Sequence, residues 1–406
     1  MSDKRKIMII AHFCDYGKEQ TNNRFNYLAE YLSKHGFSVE LVTSSFSHRD
    51  KCQRQKSDDS EQLYKITLIQ EPSYQKNISL KRLFVSHRVM AGNLKKYLQR
   101  ASRPDLVYCA IPSIQVSEVA AQYAKENQIP FVVDVQDLWP EAYKLILKNE
   151  NLYRIVTKTM KKRIDTVYAA ADQIVSVSDT YTERVKSVNV KCDHPITVYL
   201  GTERVFFDSA VQKCIPKYSK ADAEFWVGYC GTLGHSYDLT VVMEALKMLA
   251  ESGTKNIRLI AIGSGPLEET FKQKALELEI LCTFTGKLPY DQMCAQLNQC
   301  DIAVNPIVKG AAQSVINKHA DYAIAGLPVV NTQECEEYCN LLKKYECGIN
   351  CKPESVTQVA EAIYLLMKEK KMCDLMHQNA LKMGEEKFER SKTYGNILRE
   401  VQRILT

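Results

Sequence analysis

The sequence predicts an α/β protein made of two doubly wound parallel-sheet domains in series. Short runs of β-branched residues alternate with helical patterns, and this alternation breaks near residue 200 and then begins again. The chain of 406 residues is also too long for one ordinary hydrophobic core, because single domains usually hold roughly 100–150 residues. We therefore expect two large domains, each with a core of its own.

The first half contains the strand signals of one sheet. Apolar, β-branched runs predict buried parallel strands at residues 6–13, 38–44, 105–111, 130–137 and 173–178. The segments between them are helical in pattern, as in RFNYLAEYLSKHG, where apolar residues recur at helical spacing before a glycine. Parallel strands joined through helices require right-handed crossovers, which produce a doubly wound sheet.

The second half repeats this pattern after an irregular segment. Residues 199–224 have weak periodicity and mixed charge, which is typical of an interdomain connection. Strand signals then follow at residues 225–234, 257–266, 282–286, 301–307 and 326–332. The predicted domains are therefore 1–203 and 204–387, with a final helix at 388–406 that packs back on the first domain. Ligands of such sheets bind beyond the carboxyl ends of the strands, so we expect the functional site in a cleft between the two domains.

The composition matches that of a soluble cytoplasmic protein. The chain is 45% apolar and 25% charged, and its net charge of +6 does not require a nucleic-acid partner. The N-terminus has no apolar secretory segment, and no apolar run is long enough to span a bilayer, which takes about 18 residues. The fourteen cysteines are therefore expected to be reduced. The closest grouping lacks the spacing of a zinc ribbon, so we predict no metal site at Cys335, Cys339, Cys347 and Cys351.

Two glycine-containing turns follow neighbouring strands of the second half. The first is GTLG at 231–234, followed by a helix predicted to begin near Asp238, and the second is GSGP at 263–266. Glycines let a backbone approach a ligand closely, and the free N–H groups of a helix N-terminus favour an anion. The two turns together favour a phosphate or nucleotide cradle.

The segment SVINKHADYAIAGLPVV at 314–330 predicts a helix, a glycine turn and a strand. Lys318 and Asp321 lie three residues apart on one helical face, with Ser314 one turn earlier. They could form a surface ion pair of little energetic importance. Alternatively, Lys318 could bind a diphosphate while Asp321 accepts hydrogen bonds from ribose hydroxyls, as an acidic residue does in dinucleotide-binding folds.

Several strings in order along the chain resemble one enzyme family. They are DVQDLWPEAY, VSVSD, GTLGHSYDLTVVMEAL, GSGP, FTGKLP and NKHADYAIAGLPVV. Together they resemble the retaining glycosyltransferase family 4, whose GT-B fold has two Rossmann-like domains facing across a cleft. The resemblance implies that the second domain binds most of a nucleoside diphosphate sugar. The DLWPE-like and GTLGH-like segments are similar to a branch that transfers amino sugars such as N-acetylfucosamine in bacterial surface polysaccharide synthesis.

The resemblance also implies site residues, with departures from the family pattern. The family's carboxylate pair falls on Gln313, near the donor sugar, and Asp321, near the ribose. His235 stands near the place of a phosphate-binding arginine, which leaves Lys318 as the principal cation on the diphosphate. The implied donor-binding residues are Gly231, Thr232, Gly234, His235, Gly263, Gly265, Lys287, Leu288, Gln313, Ser314, Lys318 and Asp321.

The implied reaction retains the anomeric configuration by front-face attack and uses neither a metal nor a cofactor beyond the nucleotide sugar, for which UDP is the favoured nucleotide. Lys318 is a predicted catalytic residue because it would stabilise the leaving diphosphate. Asp137 could orient the acceptor hydroxyl or cap the helix that follows it. His12 could take part in catalysis or simply be packed. The predicted acceptor is a glycan or a polyprenyl-pyrophosphate-linked molecule.

Two segments of the first domain are rich in lysine and arginine and contain no acid. Residues 74–100 hold seven basic residues interleaved with apolar ones, and residues 151–163 hold five. Such runs are often solvated helix faces, but they also suit an anionic membrane surface or a lipid-pyrophosphate acceptor. We therefore predict a protein peripheral to the inner face of the plasma membrane, with no nucleic-acid partner.

Two other functions remain compatible with these residues. A nucleotide-sugar epimerase on the same fold would act without an acceptor. A noncatalytic nucleotide-sugar-binding scaffold would bind without turnover, and the amide at Gln313 gives that alternative some support. A hydride-transfer enzyme is disfavoured because no GxGxxG opens the first strand-to-helix turn.

Overall fold

A computed structural model describes residues 4–16, 23–55, 62–75, 81–145, 147, 149–311 and 314–406. Contacts between residues divide the chain into two compact units. The first comprises Met1–Val198 together with Tyr394–Thr406, and the second comprises Tyr199–Thr393. The first unit therefore ends five residues before the expected boundary at 203.

The first unit is built on a parallel sheet of seven strands in the order β3-β2-β1-β4-β5-β6-β7, as far as the chain is described. Its strands are β1 (Lys6–Ile10), β2 (Ser38–Ser44), β3 (Lys65–Ile69), β4 (Leu106–Ile111), β5 (Phe131–Val135), β6 (Gln173–Ser176) and β7 (Ile196–Thr197). Its first five helices are α1 (Arg24–Lys34), α2 (His87–Leu98), α3 (Ile114–Glu126), α4 (Glu150–Ala170) and α5 (Asp179–Lys186). A short π-helical segment, Lys81–Ser86, leads into α2, and a 3₁₀ segment, Glu141–Leu145, follows β5.

Strand β1 illustrates why these sequences form buried parallel strands. Ile7 and Ile9 belong to the core on one face of the sheet, whereas Met8 and Ile10 belong to the core on the other face. Successive side chains of a strand point to opposite faces, so a strand covered by helices on both sides must be apolar throughout. This requirement explains the continuous run KIMII.

The second unit repeats the architecture with six parallel strands in the order β10-β9-β8-β11-β12-β13 across its described residues. The strands are β8 (Phe225–Cys230), β9 (Ile257–Ile262), β10 (Cys282–Gly286), β11 (Ile302–Asn305), β12 (Val329–Asn331) and β13 (Gly348–Asn350). The helices are α6 (Arg204–Lys213), α7 (Leu239–Glu251), α8 (Glu268–Glu277), α9 (Tyr290–Leu297), α10 (Asn317–Ile324), α11 (Glu336–Tyr345), α12 (Val356–Lys368), α13 (Lys370–Met383) and α14 (Arg390–Thr393). A π-helical segment, Gly384–Phe388, follows α13. The predicted α/β class with two Rossmann-like domains is confirmed.

One segment between the two sheets departs from the sequence prediction. Residues 199–224 are not an irregular connection, because they contain α6, which buries Phe207 and Ala210 and packs against α9. The last helix, α15 (Gly395–Leu405), belongs to the first unit by its contacts. Tyr394 and Ile397 lie fully buried in the core that also holds Ile7 and Ile9.

Candidate active site

The two glycine turns of the second unit pack directly on each other. Gly263 has φ +142°, and a Cβ atom there would lie 1.9 Å from the carbonyl oxygen of Gly231. A Cβ at Gly265 would lie 2.3 Å from the carbonyl oxygen of Leu233. The amide of Leu233 donates to the carbonyl of Ser264 at 3.0 Å. Glycines are therefore required here by backbone packing between the turns, and their contact with a donor stays a prediction.

Lys318 lies in a cage of two tyrosine rings beside the first of these turns. Its ammonium is 4.2 Å from the centre of the Tyr229 ring and 3.9 Å from that of Tyr237. A Cβ at Gly231 would come within 3.2 Å of the same ammonium. The missing side chain at Gly231 thus makes room for the lysine, which reaches the turn from helix α10.

The ammonium of Lys318 is buried, and no described residue forms a hydrogen bond with it. Lys318 is 6% exposed, and its Nζ has no partner among the residues that the structure describes. Burial lowers the pKa of this lysine to about 7. Because a buried cation with open donors is unstable unless it is paired, this site favours an anionic ligand.

Asp321 shares the helical face of Lys318 but has different partners. Its Oδ1 accepts from the Thr202 hydroxyl at 2.9 Å and from the Tyr290 hydroxyl at 2.7 Å. Asp321 is also 6% exposed, so the interpretation of this pair as a surface ion pair is wrong. Burial raises the pKa of Asp321.

The segment before α10 differs from the predicted helix. The helix begins at Asn317, so Ser314 precedes it rather than lying on its face. Ser314 is buried, and its carbonyl accepts from the side-chain amide of Gln333 at 3.0 Å. Gln313, the residue in place of the first carboxylate, lies outside the described residues.

The remaining predicted donor residues occupy mixed environments. Thr232, His235 and Lys287 are exposed, and Gly234 is buried. Leu288 packs against the core of the second unit and is partly buried. Of the predicted donor residues, the structure brings both Lys318 and Gly263 into close contact with Gly231.

Tyr229 and Tyr237 are absent from the sequence prediction although they enclose the lysine. They flank the glycine turn in GYCGTLGHSY, and their rings meet edge to face at 5.8 Å. Aromatic residues on either side of a glycine turn were the one local signal that could have indicated them. Their partner Lys318 lies more than eighty residues further along the chain.

His12 follows strand β1 and belongs to a buried hydrogen-bond network. Its Nδ1 lies 2.8 Å from the Ser113 hydroxyl, and its Nε2 lies 2.8 Å from a carboxylate oxygen of Glu71. Glu71 also accepts from the hydroxyls of Ser44 and Ser86. Glu71 follows the unpredicted strand β3, so sequence reasoning missed it. A direct role for His12 in catalysis stays a prediction.

Asp137 lies in the turn after β5 and is held by a tryptophan. Its carboxylate accepts from the Trp139 indole N–H at 3.0 Å, and burial raises its pKa. This bond orients the carboxylate within its own turn. Among the described residues this carboxylate does not cap the following Glu141–Leu145 segment, and its contact with an acceptor stays a prediction.

One group in the described chain could hold a metal ion. The ligand atoms of His12, Glu71 and His87 lie within 4.8 Å of one another, and all three residues are buried. However, His12 and Glu71 already bond each other, and the charge of Arg82 acts on His87. The positive charge and the satisfied bonds disfavour a cation at this position.

The chain matches two family models. "Glycosyltransferase Family 4" matches residues 21–203, and "Glycosyl transferases group 1" matches residues 212–383. These ranges correspond closely to the two units, and together they span most of the chain. The protein is therefore a two-domain glycosyltransferase.

The same chain also matches solved structures over nearly its full length. The complex of Alr3699/HepE from Anabaena with UDP has a TM-score of 0.71 at 12% identity, covering 98% of this chain and 100% of that chain. Sucrose-phosphate synthase from Thermosynechococcus elongatus has a TM-score of 0.73 at 14% identity, and the match covers 99% of both chains. A candidate UDP-N-acetylglucosamine 2-epimerase from Listeria monocytogenes has a TM-score of 0.60 at 13% identity. The match covers 98% of this chain and 96% of that chain. These identities support the fold alone.

The chain thus belongs to the family 4-like glycosyltransferases with the GT-B fold. A comparison with curated proteins gave no match. Among the described helices, none is both long and apolar enough to cross a bilayer.

Proposed function

We propose that this protein is a retaining glycosyltransferase that takes a sugar from a nucleoside diphosphate sugar. The favoured donor is UDP-linked, and the favoured sugar is an N-acetyl amino sugar. The acceptor is a glycan or a lipid-linked molecule in bacterial surface polysaccharide synthesis. The observation that carries the proposal is the buried ammonium of Lys318, which has no partner of its own in the described chain.

Lys318 supplies the positive charge that the reaction needs. When the bond between the anomeric carbon and the phosphate oxygen breaks, negative charge grows on the departing diphosphate. A preorganised cation in a water-excluded site stabilises that charge most where it develops. The tyrosine cage keeps water from the ammonium, and this charge makes a metal ion unnecessary for the proposed reaction.

The transfer proceeds on one face of the sugar. The acceptor oxygen forms the new bond to the anomeric carbon on the side from which the diphosphate leaves, and the acceptor proton passes to a phosphate oxygen. Lys318 faces the diphosphate and Asp321 faces the ribose. Asp137 orients the acceptor hydroxyl in the first unit, and His12 supports that side of the site. The Anabaena structure in complex with UDP supports the choice of nucleotide.

The decisive experiment measures UDP release from UDP-sugars with and without acceptor. Release that requires an acceptor supports the proposal. An epimerase would interconvert the sugars without acceptor, and a scaffold would bind UDP without any turnover. A preceding thermal-shift screen with UDP, GDP, ADP, CMP and NAD identifies the base, because a ligand at 100 times its Kd stabilises by about 2.7 kcal/mol.

Helix α4 carries the proposed contact with an anionic membrane. In its first half Ile155 is 75% exposed, and Leu152 and Val156 are each about half exposed. Exposed cations accompany them at Arg154 and Lys158, followed by Lys161 and Lys162. An exposed aliphatic group within a basic face is typical of helices that lie on lipid headgroups. Residues 76–80 of the other basic run lie outside the described residues.

The membrane proposal is tested with adjacent lysine pairs. Lys161→Gln/Lys162→Gln should lower binding to phosphatidylglycerol vesicles roughly tenfold or more, since each charge near the surface is worth about 1 kcal/mol. The matched control, Lys370→Gln/Lys371→Gln, removes two exposed charges from α13 in the second unit. Equal binding of the wild type to neutral vesicles would refute an electrostatic contact.

A further inference from the structure

His319 is the third residue of helix α10 and directly follows Lys318. It is fully buried, and its ring lies parallel to that of Tyr338, with the two ring centres 3.5 Å apart. It takes no part in the mechanism above, although it lies beside the cation on which that mechanism depends.

The imidazole of His319 caps the N-terminus of its own helix. Its Nδ1 accepts the backbone N–H of Ile316, the residue before the helix, at 3.2 Å. The backbone N–H of His319 in turn donates to the carbonyl of Ile316 at 3.1 Å. In a capping box, a glutamate or glutamine at the third helical position accepts this same N–H. His319 therefore supplies the hydrogen bond that such a residue would supply.

This hydrogen bond requires an uncharged imidazole. An imidazolium carries protons on both ring nitrogens, so it cannot accept the N–H of Ile316. Burial lowers the pKa of His319 well below its ordinary value, and the charge of Lys318 lowers it further. The cap therefore carries no charge near neutral pH.

A row of buried amides holds the other side of the imidazole. Nε2 of His319 lies 3.1 Å from the side-chain nitrogen of Asn305. Asn305 donates to Oδ1 of Asn331 at 2.8 Å, and Asn331 donates to Oδ1 of Asn350 at 2.8 Å. The three asparagines occupy paired positions at the carboxyl ends of β11, β12 and β13. The row thus fixes the imidazole, and with it the start of α10, relative to the sheet.

The segment that leads into the helix is tied to the same row. Nε2 of Gln333 donates to the carbonyl of Ser314 at 3.0 Å, and Oε1 of Gln333 accepts from Asn305 at 3.1 Å. Gln333 thus holds Ser314, and His319 holds Ile316. Together they fix the backbone immediately before Lys318.

The charge of the cap matters because Lys318 is its neighbour. The ammonium of Lys318 has no hydrogen-bond partner among the described residues, so no carboxylate there is bonded to it. Its charge acts on the imidazole of His319, which shows that the two side chains interact electrostatically. A glutamate at position 319 would form the same cap, but its negative charge would oppose that of the lysine and repel a diphosphate. A neutral imidazole forms the cap without this repulsion.

We propose that His319 is a positioning residue for donor binding, which caps helix α10 without a negative charge and so keeps the charge of Lys318 fixed and available to the diphosphate. This inference rests on the proposed function, because the diphosphate belongs to the donor. His319 acts through Lys318 and the segment 314–316 and is not itself a catalytic residue.

The test compares the UDP affinity of three variants by calorimetry. His319→Gln keeps an uncharged acceptor for the Ile316 N–H and should bind UDP nearly as tightly as the wild type. His319→Leu can still pack on Tyr338 but lacks the acceptor, so its Kd should rise about tenfold, the scale of one lost hydrogen bond. His319→Glu restores the acceptor with a negative charge, and its Kd should rise about 100-fold, the scale of losing an electrostatic donor.

The matched control places the same charge elsewhere. His194→Glu changes an exposed histidine of the first unit and should leave the Kd for UDP unchanged. Thermal unfolding shows whether each variant is folded at the temperature of the titration. If His319→Glu does not fold, the comparison of His319→Gln with His319→Leu decides the proposal.

Three results would overturn the inference. They are wild-type affinity in His319→Leu, wild-type affinity in a folded His319→Glu, and equal losses in His319→Gln and His319→Leu. The last result would assign the effect to stacking on Tyr338 rather than to the cap. If the wild type does not bind UDP, the proposed function fails, and the same variants are titrated with inorganic pyrophosphate. The inference then stands if His319→Gln keeps pyrophosphate binding while His319→Leu and Lys318→Met lose it, and it falls if the wild type binds neither ligand.

Discussion

The ammonium of Lys318 lies 3.9 Å from the centre of the Tyr237 ring and approaches the backbone of Gly231. The cage holds a cation in place before any ligand arrives. Preorganisation of this kind reduces the entropy lost on binding. It also destabilises the free protein, because the charge is buried without a hydrogen-bond partner in the described chain.

Lys318→Met should therefore change binding and stability in opposite directions. UDP affinity should fall about 100-fold, the scale of losing one electrostatic donor in a water-excluded site. The melting temperature without ligand should rise, because a buried charge is replaced by an apolar side chain of similar size. Calorimetry and thermal unfolding measure the two effects. Lys309→Met, an exposed lysine on the preceding loop, is the control and should alter neither.

Nucleotide binding should weaken as the pH rises above 7. The pKa of Lys318 is lowered to about 7, so the free protein loses this charge above that pH, whereas the diphosphate complex requires it. Burial raises the pKa of neighbouring Cys230 to about 12 and that of Tyr229 as well, so neither becomes charged near neutral pH. The loss of UDP affinity should approach tenfold per pH unit, with proton uptake on binding detected in buffers of different ionisation enthalpy. A Kd for UDP that stays constant from about one pH unit below to two units above the Lys318 pKa of about 7 would contradict this.

The lowered pKa of Lys318 also predicts how the stability of the protein depends on pH. The unfolded lysine keeps its proton to a higher pH than the folded one, so the unfolded state binds more protons above pH 7. Stability should therefore rise with pH from about 7 toward the ordinary lysine pKa of about 10.4. This rise should be absent from Lys318→Met, which distinguishes it from the titration of other groups.

Asp321→Asn should weaken recognition of the ribose while preserving the fold. An asparagine keeps an oxygen that can accept from Thr202 and Tyr290, but it loses the negative charge. We expect the wild type to bind UDP more tightly than 2′-deoxy-UDP, and the variant to bind both alike. Asp321→Ala should also lower the free energy of unfolding by about 1–3 kcal/mol, because it removes the carboxylate that accepts hydrogen bonds from Thr202 and Tyr290. An unchanged preference of Asp321→Asn for UDP would remove the ribose role.

Gly265→Ala should destabilise the second unit through a backbone clash. The added Cβ would lie 2.3 Å from the carbonyl oxygen of Leu233, so the two turns would have to separate. We expect a loss of about 2 kcal/mol or more, as for other overpacked sites. Gly92→Ala in α2 meets nothing within 4 Å and should instead stabilise by about 0.5–1 kcal/mol. Chemical unfolding of both variants measures the contrast.

A buried ion pair in the first unit should be sensitive to the loss of one partner. The Nε of Arg24 in α1 donates to Oδ2 of Asp134 in β5 at 2.8 Å, and both side chains are almost fully buried. Arg24→Met should cost about 3–5 kcal/mol because it leaves a carboxylate unpaired in the core. Glu30→Gln, which breaks the exposed Glu30–Lys34 pair in the same helix, should cost less than about 0.5 kcal/mol.

The long central strands could be predicted from the sequence because their apolar runs are continuous. Strand β3, with the partly exposed sequence KITLI, and the three-residue strand β13 at Gly348–Asn350 were missed. Both strands lie at sheet edges, where the side chains are only partly buried. Partial burial does not require a continuous apolar run, so the sequence shows no clear strand pattern there. Helix α6 was missed for a similar reason, since only Phe207 and Ala210 are buried along it.

The site was predictable where its residues are close in sequence. Lys318 and Asp321 were identified from one short segment that resembles a family pattern. The tyrosine cage and the bond between His12 and Glu71 join residues that are far apart along the chain. Such contacts form only when the sheet is assembled, so no local hydrophobic periodicity or residue spacing indicates them.

The return of the last helix to the first unit has a consequence for synthesis. Tyr394, Ile397 and Val401 fill part of the core beneath β1, although nearly two hundred residues of the second unit separate them from Val198. During synthesis on the ribosome, the second unit can be complete while the first unit still lacks the last helix, which contributes side chains to its core. We expect the nascent first unit to bind chaperones until residues 394–406 emerge, and a chain stopped at Thr393 to be degraded rather than merely inactive.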